Sequence, residues 1–157
     1  GKSTLVSLLL RFYDPAAGGV EWNGVDLREL ELERHRGRFG LVLQEDFLFS
    51  GTVRENLAMG RPDVSSESLA RALEASRAGA LVERLEGGLD AEVLERGAGF
   101  STGERQLLAI ARALAGDPEL VILDEATASV DSAQNRPPPS QPHWRLWQSF
   151  SSVHCVS

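Results

Sequence analysis

The run Leu120-Val121-Ile122-Leu123 passes directly into two carboxylates, Asp124-Glu125, and no other feature constrains the fold as much. Four consecutive apolar residues bounded by turn signals read as a strand buried on both faces, which is the habit of parallel sheets. In an open sheet of that kind, residues just past the strand lie at the carboxyl edge, where ligands bind. Asp124 there suits Mg²⁺, which prefers carboxylates combined with substrate phosphates, and Glu125 suits a general base acting on water. A solvated acidic loop is the bland alternative, and what precedes the strand decides between them.

The segment before it ends in Gly116-Asp117-Pro118, a helix stop, and begins with Ser101-Thr102-Gly103-Glu104, where Ser and Glu stand at capping-box spacing. Leu107, Ile110, Ala111 and Leu114 line one side of the helix between these signals. Upstream, Asn23-Gly24 lies between Val20-Glu21-Trp22 and Val25-Asp26-Leu27, a strong hairpin signal. Ser3 to Phe12, Leu30 to Arg36, Val53 to Met59, and Ser66 to Leu85 with a break near Gly79 read as helices. Phe39 to Leu43 reads as a buried strand. The alternation predicts an α/β fold with a mostly parallel sheet and an inserted helical region.

The chain opens on Gly1-Lys2-Ser3-Thr4, and Lys2 is its only lysine. These residues match the end of the phosphate-binding loop G-x-x-x-x-G-K-[ST]. Its mechanism is specific: backbone N–H groups at a helix start hold phosphate oxygens, the lysine reaches the β- and γ-phosphates, and the serine ligates Mg²⁺. Four residues also occur in ordinary loops, so their weight comes from the carboxylates downstream.

Composition excludes several classes. The net charge is −7 and there is no basic stripe, which argues against nucleic acid. The longest apolar runs fall far short of the roughly 20 residues of a spanning helix. The single cysteine, Cys155, permits no disulfide within the chain, and with no signal peptide in view a reducing compartment is expected. Residues 133–157 hold no Asp or Glu and four of the seven prolines, so residues 1–132 carry 14 basic against 23 acidic residues, or −9. This tail has neither strand nor helix periodicity; it is expected to be a disordered Pro-rich extension or a frameshift-derived sequence foreign to the fold.

Together these motifs resemble the nucleotide-binding domain of an ABC transporter. Gly1 to Thr4 resembles the end of Walker A, Gln44 the Q-loop, Phe100-Ser101-Thr102-Gly103-Glu104-Arg105-Gln106 the signature, Leu120 to Glu125 Walker B, and Ala128-Ser129-Val130-Asp131 the D-loop. The exporter type is suggested by Arg11 to Pro15, by Leu48 to Asn56 and by Glu95-Arg96-Gly97. The resemblance implies a P-loop NTPase core with a small antiparallel hairpin region and a helical subdomain over about residues 52–115, incomplete at both ends. It implies ATP and Mg²⁺ as ligands, with Gly1, Lys2, Ser3, Thr4, Ser101, Gly103 and Asp131 on the nucleotide. Ser3, Gln44 and Asp124 would hold the metal, and Glu125 with Gln44 would serve catalysis.

The implied partners are a second ATP-binding domain, identical or not, and an exporter's transmembrane domain at the cytoplasmic face of the cell membrane. The signature departs from the family pattern at Phe100 and Thr102. His154 stands near where a switch histidine is expected, but its setting favours a chance residue. Tyr13 and Trp22 read as packing residues, and Arg54, Arg61 and Arg96 as surface charge. Two alternatives stay open: an inactive truncated or frameshifted fragment, and a soluble ABC ATPase associated with nucleic acid. The chain taken by itself is expected not to be a competent ATPase.

Overall fold

In the computed structural model, residues 2–42, 47–123 and 145–147 are described. The described residues divide into two compact units, one within residues 2–38 and the other within residues 39–147.

In the first unit, helix α1 (Lys2–Leu9) is followed by the hairpin β1 (Glu21–Trp22) and β2 (Val25–Asp26), then by the short helix α2 (Leu32–Arg36). The helix stops earlier than the apolar pattern suggests, because Arg11 turns left-handed at φ 51°. Asn23 and Gly24 both take positive φ, 52° and 79°, as the tight hairpin turn requires. Glu21 pairs with Asp26 and Trp22 with Val25. Leu9, Leu10, Val20, Leu27 and His35 are buried.

The second unit is built on a parallel sheet. Strand β3 (Phe39–Val42) pairs with β6 (Leu120–Leu123) in register from Phe39↔Leu120 to Val42↔Leu123. Between them in sequence come β4 (Gly51–Thr52), α3 (Val53–Ala58), α4 (Ser66–Ser76), α5 (Gly79–Arg84), β5 (Glu92–Val93) and α6 (Thr102–Ala115). β4 and β5 form a small antiparallel pair, Gly51↔Val93 and Thr52↔Glu92. The break between α4 and α5 falls at Arg77, left-handed at φ 62°. Helix α6 lies on β3 so closely that a Cβ at Gly40 would come within 2.5 Å of the Ala113 carbonyl oxygen. The core joins Val42, Leu48, Val53, Leu57, Leu69, Leu73, Leu81, Val82, Val93, Leu108, Leu114 and Val121.

Most of residues 133–157 lie outside the described residues; of them, β7 (Arg145–Trp147) pairs parallel with β6 on the side away from β3. An otherwise unpaired strand edge presents a row of N–H and C=O groups that a short extended segment can satisfy. Three residues are too few to show the period-2 pattern by which a strand is recognised in sequence.

Candidate functional site

Helix α1 starts at Lys2, with Ser3 and Thr4 exposed in its first turn and no acidic residue there. Its other end is held by α2. His35 Nε2 donates to the Leu9 carbonyl at 2.7 Å, and Arg36 donates to the Leu10 and Arg11 carbonyls at 2.9 and 3.0 Å. These cationic or polar donors meet the terminal carbonyls that a helix leaves unsatisfied, which complements its dipole. Trp22 packs edge-on against His35, the ring centroids 6.3 Å apart, as a packing residue should. Tyr13 does so only in part, since it is 49% exposed.

Helix α6 starts differently. Ser101 is its N-cap: the Glu104 N–H donates to Ser101 Oγ at 3.3 Å, while the Ser101 N–H and hydroxyl each donate to Glu104 Oε2 at 2.8 Å. Those bonds from the Ser101 amide first, and its hydroxyl second, hold the Glu104 carboxyl below the usual glutamate range; the nearby Arg84 guanidinium acts in the same direction. Ser101, Thr102 and Gly103 are exposed. A Cβ added at Gly103 would meet nothing within 4 Å, so no contact inside the chain requires glycine there. Thr102, which departs from the family pattern, has its Oγ1 bound by Arg105 Nη2 at 3.1 Å, and Arg105 Nη1 also donates to the Phe100 carbonyl at 2.7 Å. The substitution is thereby accommodated within the first turn.

The two strands that precede the other chemical residues end together, at Val42 and Leu123. Gln44 and Asp124-Glu125 follow these ends in sequence; Gly1, Gln44, Asp124, Glu125, Asp131 and His154, and the side chain of Lys2, lie outside the described residues. Within the second unit the structure therefore brings the β3 and β6 ends side by side.

Sequence reasoning missed a group elsewhere in the second unit. Asn56, 3% exposed, was not singled out; neither was Arg112. Arg112 donates to the Phe47 and Asn56 carbonyls at 2.8 Å each and to Asn56 Oδ1 at 3.2 Å. Arg61, read as surface charge, instead donates to the Ala58 and Arg112 carbonyls at 3.2 Å, and burial holds its guanidinium pKa below the ordinary value. Arg54 does behave as surface charge, paired with Asp90 at 3.0 Å with both side chains well exposed. The one available signal was the capping box Thr52-x-x-Glu55, whose reciprocal bonds are both present and fix the start of α3.

Known proteins resemble this chain in sequence and in fold. A family model described as "ABC transporter" matches residues 1–128. An uncharacterized ABC transporter ATP-binding protein of Bacillus subtilis, YknV, is 45% identical over 132 residues, covering 84% of this chain and 22% of the relative. A multidrug efflux ATP-binding/permease protein of Mycobacterium bovis is 44% identical over 133 residues, covering 85% of this chain and 11% of that protein. Among solved structures, a bacterial Atm1-family ABC exporter with ATP bound superposes with a TM-score of 0.73 at 39% identity, over 84% of this chain and 23% of its own. The chain thus spans about a fifth or less of the length of these proteins.

Proposed function

The chain belongs to the ABC transporter family, and from that premise we propose that it forms the ATP-binding and hydrolysing part of an exporter. Its α/β architecture, a P-loop NTPase core with a parallel sheet and inserted helices, is the fold of that family's ATP-binding domain. Among the described residues no helix is long and apolar enough to cross a membrane. By analogy with the ATP-binding/permease relative, we assign the membrane-spanning work to a transmembrane partner, with this domain at the cytoplasmic face.

The observation that carries the mechanism is the common end of β3 and β6 at Val42 and Leu123. Gln44 and Asp124-Glu125 follow these two ends in sequence, which would let groups from both serve one phosphate. Gly1, Lys2, Ser3 and Thr4 would hold the phosphates of ATP at the start of α1, where the first turn offers N–H groups and no competing carboxylate. Mg²⁺ we assign to Ser3, Gln44 and Asp124, a hard oxygen set that fits the ion; when bound, it neutralises charge on the β- and γ-phosphates. Glu125, with Gln44, would orient the attacking water and take its proton.

Ser101 and Gly103 would act in trans. The exposed α6 start, with open space beside Gly103, leaves room for an anion to approach the amides of the first turn. Two such domains, identical or not, would enclose ATP between one domain's phosphate loop and the other's signature, with Asp131 at their junction. Closure of that dimer would drive transport.

The test is Glu125→Gln in the full-length protein. Expected is a loss of MgATP turnover of at least about a hundredfold, with MgATP affinity within about threefold of the unsubstituted protein. Lost affinity together with retained turnover would overturn the role given to Glu125.

A further inference from the structure

Arg112 leaves α6 to meet two other parts of the second unit. Its planar fork donates to the carbonyl of Phe47 at 2.8 Å, and to Asn56 through both the carbonyl at 2.8 Å and Oδ1 at 3.2 Å. Asn56 in turn grips the segment that precedes α3. Its Oδ1 accepts from the Phe49 N–H at 2.8 Å, and its Nδ2 donates to the Phe49 and Thr52 carbonyls at 2.7 and 3.0 Å. The guanidinium carbon lies 5.8 Å from the Phe49 ring centroid. One side chain therefore joins α6, α3 and the segment that contains Phe47.

Burial alone does not call for a cation here, since well-packed apolar residues usually stabilise as well as a partly buried charge does. What the planar, preorganised fork adds is geometry: three acceptors on two segments are held at fixed distances from one helix. One of these segments follows Gln44 by three positions, and the helix itself begins at the Ser101 cap.

We propose that Arg112 is a positioning residue for ATP turnover, yoking the segment that follows Gln44 to the helix that presents Ser101 and Gly103. The inference rests on the roles given above to Gln44 and Ser101. When α6 shifts as a nucleotide is enclosed, the Phe47 carbonyl shifts with it, so the attacking-water side and the signature side arrive together. In this role Arg112 acts through Phe47 and Asn56 and not on the nucleotide.

Arg112→Lys is the decisive variant, because it keeps the charge and stem but replaces the fork with a single ammonium. Arg112→Ala leaves the buried Asn56 without this donor, so failure to fold in that variant would decide nothing by itself. Two readouts are taken on the full-length protein: amide hydrogen exchange and MgATP steady-state kinetics. Expected in Arg112→Lys are amides of residues 47–50 exchanging about tenfold faster, with those at the α6 start unchanged. Expected too is a kcat about tenfold lower at a KM within about twofold.

Unchanged exchange at 47–50, or an unchanged kcat, overturns the proposal. So does a uniform rise in exchange with a lowered melting temperature, which is the mark of a merely structural residue. If the unsubstituted protein binds no MgATP, the ATPase reading fails first and a role in turnover falls with it, a result distinct from a failure in the variant alone.

Discussion

Helices α1 and α6 both carry small hydroxyl-bearing residues at their starts, Ser3 and Thr4 in one and Ser101 and Thr102 in the other, yet they fill their first turns in opposite ways. The first turn of α1 holds Ser3 and Thr4, exposed, and no carboxylate. That of α6 holds Glu104, which already accepts the Ser101 N–H and hydroxyl. The orphan donors of a helix start attract an anion in either case. The first turn of α1 supplies no anion of its own, whereas that of α6 does. The difference suits the roles proposed for them, since a phosphate loop has to bind nucleotide by itself before closure. A signature has to engage and release with each closure, and an internal competitor keeps that engagement shallow.

The most direct attempt to break this comparison sets Lys2→Ala against Ser101→Ala. Losing the lysine removes a charge-assisted contact from the open site, and MgATP affinity should fall by about a hundredfold. Losing the Ser101 hydroxyl should leave affinity within about threefold while lowering kcat by about tenfold or more. Calorimetry with MgATP and steady-state kinetics read the two separately. Equal losses of affinity in both variants would mean that the two helix starts do the same work.

Two glycines sharpen it further, at smaller cost. Gly40 is required by packing: a Cβ there meets the Ala113 carbonyl oxygen at 2.5 Å and the Pro118 ring at 3.2 Å. Gly40→Ala should therefore lower unfolding free energy by about 1–3 kcal/mol, read by denaturant titration. Gly103 is unconstrained from within, so Gly103→Ala should leave stability unchanged or raise it by up to about 1 kcal/mol through helix propensity. Turnover should nevertheless drop, because the new methyl would crowd the approach to the first-turn amides. A Gly103→Ala protein with full activity would remove the case for an anion at α6.

How much of this was legible in the sequence depends on the span over which each interaction acts. The Asn23-Gly24 turn and the Ser101–Glu104 box are local, and both could be read because three or four residues suffice to specify them. The buried run Leu120–Leu123 declared its strand, though its register with Phe39–Val42 could not be read from either segment. The pairing of Gly51 with Val93 was invisible, since each strand is two residues long and the partner is remote in sequence. Arg112 and Asn56 were passed over for the same reason: an arginine on a helix looks like solvent charge until the fold brings a buried amide beneath it. Strand β7 is the extreme case, for its existence depends on the open edge of β6 more than on any pattern of its own.

The smallest effect expected concerns acid. Glu104 is the carboxylate that separates the two helix starts, and its bonds to the Ser101 amide and hydroxyl hold its folded pKa below the usual glutamate range. A depressed folded pKa means that the contact contributes stability above the unfolded value, and that this contribution is lost as pH falls through the folded one. The first turn of α1 has no such group. Lowering pH from neutrality into the range below ordinary glutamate titration should therefore loosen the start of α6 while leaving that of α1 unaffected. Amide hydrogen exchange, corrected for intrinsic pH dependence, should show falling protection at Ser101 and Glu104 and none attributable to acid at Ser3 and Thr4. Glu104→Gln should remove this pH response from α6, because an amide does not titrate in that range. A response that persists in Glu104→Gln would assign the acid sensitivity to another group. The internal competitor at the signature would then need a different physical basis.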